Sequence, residues 1–175
     1  MKISISTLAV CGALLLPAAV AHAADVNDAQ IAAIVVTANQ VDVDAGKLAA
    51  ATTANAEVKK FAELMVTDHT AVNKSAVDLV TRLGVTPEDN PTAQSLAADG
   101  KKHVAYLHTL HGDAFDRAYV KREVEYHQQV LDAVDKVLIP GAGNAELKAL
   151  LVKVRPAFVA HLEHAKQVQQ GLPKG

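Results

Sequence analysis

The chain has 175 residues, with 17 basic and 19 acidic side chains, a net charge of −2, half of its residues hydrophobic and no tryptophan. That balance excludes nucleic-acid binding by massed phosphate neutralisation, and three phenylalanines with three tyrosines make few platforms for stacking bases or sugars. Its length suits one domain with a real core.

Met1-Lys2, an apolar run from Leu8 to Val20 and the small-x-small triplet Ala21-His22-Ala23 have the layout of a secretory signal peptide. Cleavage after Ala23, or next to it after Ala24, predicts a mature helical domain over 24–175. The expected address is the periplasm, with outer-membrane association as a variant of it. The apolar run is about 13 residues against the roughly 20 a spanning helix needs, which leaves an uncleaved anchor as the lesser alternative. No later segment is apolar enough to span. Cys11, the only cysteine, follows Val10 where a lipoprotein signal wants a small residue, so lipid attachment is not expected. Without it the mature chain has no thiol, and any metal must be held by nitrogen and oxygen.

Apolar spacing of three and four then predicts four long helices. The first runs from about Asn27 to Thr53, with Ile31, Ile34, Val35 and Asp42 on one side. The second runs from Asn55, a good N-cap, to Leu83, with Phe61, Met65, His69 and Asn73 in line; Gly84 and Pro87 end it. About 30 residues follow, too many for a simple hairpin. Gly84 to Thr92 reads as a loop, and Ala93 to Leu110 as a weaker helix interrupted at Gly100. Such a crossover makes helices two and three parallel, as in ferritin-like bundles; an up-down bundle with a disordered loop is the alternative. The third helix starts near Asp113, carries Tyr119, Glu123 and His127, and stops at Pro140-Gly141. The fourth begins at the Asn144 cap and bears Phe158, His161 and Leu162, with Pro156 expected to kink it.

Asp42, His69, His127 and His161 each fall within about four residues of the midpoint of their helix, or roughly 6 Å along its axis at about 1.5 Å per residue. In near-antiparallel helices all four share a level whichever way each helix points. Glu123 and His127, spaced i, i+4, lie on one face. Three imidazoles with Glu123, and Asp42 as a fifth ligand or an outer acceptor, would suit one zinc, copper(II) or iron ion. The other reading is a structural layer in which His69, Asn73, Tyr119, Glu123 and Asp42 satisfy one another and fix helix register. The residues leave these two open. His164 reads as a rim residue, and His103, His108 and His111 as part of a solvated face.

Several motifs in order resemble a bacterial exported family. They include Gly46-Lys47-Leu48-Ala49, Val58-Lys59-Lys60-Phe61-Ala62, Met65-Val66-Thr67-Asp68-His69, Phe115-Asp116-Arg117-Ala118-Tyr119-Val120, and Pro156-x-Phe158-x-x-His161-Leu162. The family is known as domain of unknown function family 4142. The resemblance implies a periplasmic or envelope-associated, ferritin-like all-α four-helix bundle, and it implies no reaction. A di-iron site is disfavoured, because such sites use Glu-x-x-His on two helices and this chain has none. There is no nucleophile elbow and no phosphate-cradling loop, so no catalysis is assigned. The expected role is therefore structural or interactive within the envelope, with an envelope protein as partner and the oligomeric state open, or else the binding of a single metal.

Overall fold

The computed structural model describes residues 26–174; the segment expected from the sequence to be a signal peptide lies outside the described residues. Helices α1 (Asp28–Thr52), α2 (Ala56–Arg82), α3 (Pro91–Leu107), α4 (Gly112–Ala133), α5 (Ile139–Gly141) and α6 (Ala145–Gly171) follow one another, with a π-helical turn at Val134–Leu138 joining α4 to α5. Among the described residues there is no strand, and no helix is long and apolar enough to cross a membrane.

Asparagines set the helix starts. Asn27 forms a capping box with Gln30, Asn55 accepts from Glu57 and Val58, Asn90 from Ala93, and Asn144 from Glu146 and Leu147. Each uses a short side-chain oxygen to satisfy backbone donors that the first helical turn leaves unpaired. After α2, Gly84 at φ +66° turns the chain away while the Val85 N–H donates to the Val80 carbonyl.

Two apolar clusters give the directions of the five longer helices. One holds Ile31 and Ile34 of α1, Leu79 of α2, Ala93 of α3, Leu131 of α4 and Leu151 of α6. The other holds Ala49, Phe61, Leu107, Phe115, Tyr119 and Ala165. From first cluster to second run α1, α3 and α6; α2 and α4 run the opposite way. Helices α2 and α4 are therefore parallel, joined by α3, which is the single-crossover connectivity expected from the sequence. Crosslinks fix the ends: Asp28 accepts from the backbone N–H groups of Gly143 and Asn144, and Thr53 donates to Asp116.

Two expectations need correction. The crossover helix starts at Pro91, not Ala93, because Asn90 caps it and Pro91 occupies a first-turn position whose N–H would be unpaired anyway. It is also unbroken at Gly100. A Cβ there would lie 2.7 and 2.8 Å from the two Val41 methyl carbons, so the glycine serves close contact with α1 and not a break. Pro156 sits inside α6, where the sequence places it.

Candidate metal centre

The helices bring Asp42, His69, Glu123, His127 and His161 together between the two apolar clusters, all of them buried. One ligand nitrogen from each of the three histidines lies within 4.8 Å of the other two, and the same holds for Asp42, Glu123 and His127. The shared level expected from the helix midpoints is present.

Hydrogen bonds decide which nitrogen faces the middle. His69 Nδ1 lies 2.7 Å from Asn39 Oδ1, and Asn39 Nδ2 donates to the Val35 carbonyl at 2.7 Å. The amide oxygen must therefore accept, and His69 must carry its proton on Nδ1. His127 Nδ1 lies 3.0 Å from the Glu123 carbonyl, an acceptor only, which places that proton on Nδ1 as well. His161 Nε2 donates to Asp68 at 2.9 Å, leaving Nδ1 buried and without a partner. Phe158 stacks on the His69 ring at 5.4 Å with planes 1° apart, holding it in place.

In the neutral tautomers the inward atoms are thus all lone pairs. His69 Nε2 and His127 Nε2 stand 3.4 Å apart, and Asp42 Oδ2 lies 2.9 Å from the first and 3.5 Å from the second. With His69 neutral, the 2.9 Å approach sets acceptor against acceptor and is no hydrogen bond. Neither Asp42 oxygen has a hydrogen-bond partner, nor have Glu123 Oε2 and the Tyr119 hydroxyl. Buried polar atoms are normally paired, and each unpaired one costs about 1–3 kcal/mol.

Electrostatics sharpen the contrast between the two acids. Burial resists ionisation of Asp42, but electrostatic attraction to His69, with a smaller share from His127, outweighs it and holds this carboxyl well below the usual range. Burial, and then the Asp42 charge, push Glu123 the other way, well above its ordinary value. Burial lowers His127 from 6.5 to about 4 against the pull of Asp42, and lowers His161 against the pull of Asp68. Asp42 is thus pushed towards its charged form and Glu123 towards its neutral one.

The spacings of the three imidazoles suit one tetrahedral ion. Ligand atoms each about 2.0–2.1 Å from such an ion stand roughly 3.4 Å apart, and three imidazoles bound this way have ring centres roughly 5 Å apart. The three ring-centre separations are 5.5, 5.2 and 5.4 Å.

The family model described as Domain of unknown function (DUF4142) matches residues 14–168. The chain belongs to that family. No match emerged among curated proteins or among solved structures.

A ferritin-like bundle invites a di-iron centre, and the donors of this DUF4142 chain do not fit one. Among the described residues the cluster holds two carboxylates, Asp42 and Glu123, and the nearby Asp68 is engaged with the outer nitrogen of His161.

Sequence reasoning missed Asn39 and the role of Asp68. Asn39 sits one turn before Asp42 on the same face, a signal that was there to be read. Asn73, expected in the polar layer, makes no bond to His69, and its Oδ1 has no partner. His164 packs edge-on against Phe61 at 5.2 Å, outside the cluster. His103 is half-buried, and burial, with Arg122 adding to it, lowers it to about 4; His108 and His111 are exposed.

Proposed function

We propose that this is an exported helical-bundle protein of the cell envelope that binds one transition-metal ion through His69, His127, His161 and Asp42. The observation that carries the metal reading is the convergence of imidazole nitrogens on a buried carboxylate neither of whose oxygens has a hydrogen-bond partner. A self-sufficient polar layer would pair its own members, and this one leaves Asp42, Glu123, Tyr119 and His161 with unpaired atoms. Each imidazole instead gives its other nitrogen to an outer acceptor: Asn39, the Glu123 carbonyl or Asp68. That arrangement orients histidine ligands around a metal and raises their basicity.

Three imidazoles and a carboxylate suit zinc, copper(II) or iron(II). Glu123 lies beside His127, its Oε2 3.5 Å from Nδ1, and serves as the acid that gives up a proton when a cation arrives. Support for the address comes from the layout of residues 1–23.

The test is elemental analysis of untagged protein purified from the periplasm, beside a His69→Ala, His127→Ala, His161→Ala triple variant whose helicity is checked by circular dichroism. Near-stoichiometric metal, absent from a helical variant, is the expected result. Wild type that stays metal-free after incubation with zinc, copper and iron overturns the proposal and returns the cluster to a structural role.

A further inference from the structure

A cavity of about 110 Å³ leads away from the cluster. Asp42, His69 and His127 form its inner end, and Thr92 of α3 and Gln129 of α4, both exposed, lie at its outer end. Between them the walls are aliphatic and aromatic, chiefly Leu96, Val130, Ala133 and Phe158. Two polar residues of the wall are already satisfied within the protein. The Tyr126 hydroxyl donates to the Ala38 carbonyl at 2.9 Å, and both ends of the Asn39 amide are engaged.

Water therefore finds partners only at the two ends. An ordered water wants two to four polar neighbours, and apolar cavities of this order stay dry and take up small nonpolar guests. The volume is below the roughly 150 Å³ that holds a benzene, which favours still smaller molecules.

The π-helical turn is an independent pointer to the same space. Val134 and Leu138, its first and last residues, both line the cavity. A π-turn departs from the ordinary helical register, and such turns recur at functional sites. Arg155 of α6 grips Asp135 within this turn through two bonds of 2.6 and 2.7 Å, so the departure is anchored.

We propose that this cavity is a binding chamber for a small nonpolar molecule of diatomic size, such as dioxygen or nitric oxide, with its inner end at Asp42, His69 and His127. The chamber itself needs no ion; delivery of its guest to an ion rests on the metal-binding reading above.

Xenon is the probe, applied under pressure to metal-free protein with ¹⁵N-labelled histidine. Saturable binding should move the ring nitrogen signals of His69 and His127 and leave that of His164 in place. Ala133→Phe and Leu96→Phe, each filling the chamber from a different helix, should abolish the shifts with helicity unchanged. Absence of xenon binding to folded wild type, or binding that survives both fillings, overturns the chamber. Because no metal is present, shifts in a protein that never takes up metal would keep the chamber while the metal reading fails.

Discussion

At the scale of single residues, the site is defined less by its ligating groups than by what stands behind them. Asp68 holds His161 Nε2 at 2.9 Å with a side chain 39% exposed, so its removal leaves the core intact. Asp68→Ala should lower metal affinity about 10- to 100-fold while helicity is retained, as measured by competition with a chelating dye. Unchanged affinity would mean that His161 is oriented by packing alone. The meeting of Asp42, His69, Glu123, His127 and His161 was legible in the sequence because helical periodicity fixes which face a residue occupies and midpoints fix its level. The direction of each lone pair was not legible. It depends on Asn39 and on Asp68, whose partners lie on other helices, 30 and 93 residues away in sequence. Asp68, next to His69 in sequence, diverges from it by about 100° around the helix, and that divergence is what lets it reach α6.

At the scale of elements, helix ends were readable wherever an asparagine cap announced them, and misread where two rules competed. Glycine inside a helix costs about 1 kcal/mol relative to alanine, which favours reading Gly100 as a break. Contact with Val41 is the stronger effect. Val41 is β-branched and stiff, so it cannot swing aside for an added Cβ. Gly100→Ala should therefore destabilise the protein despite its better helix propensity, by about 1–3 kcal/mol from overpacking, read as a lower urea midpoint at constant slope. A stabilised variant would show that α3 is free to shift on α1. The π-turn was invisible beforehand, since Val134–Leu138 carries an ordinary helical pattern and only tertiary packing selects the wider turn.

At the scale of the whole molecule, the buried ionisable groups make metal-free stability depend on pH with opposing signs. His127 has a folded value of about 4 against 6.5 unfolded, so the unfolded chain binds more protons between those limits. Its contribution is fully present above 6.5 and is lost as pH falls towards 4, on the order of 3 kcal/mol across the window. His161, also lowered, acts in the same sense. Glu123 is raised, so its contribution is present below 4.5 and lost as pH rises through its folded value. The two effects oppose each other in the wild type. Glu123→Gln should unmask the histidine slope, giving metal-free protein whose urea midpoint climbs more steeply from pH 4 to 6.5 than wild type. Parallel slopes in the two proteins would contradict this account.

The partition of the core has one more consequence. Each long helix contributes side chains to both apolar clusters, and the ionisable layer lies between them. On the metal-binding reading proposed above, the two halves are links joined end to end by a clasp that a cation would close. Metal-loaded protein should then melt as one unit, and the halves of metal-free protein should loosen independently, as read by calorimetry with and without a chelator. The cooperativity of the fold then becomes a property of the surrounding ionic medium as much as of the polypeptide.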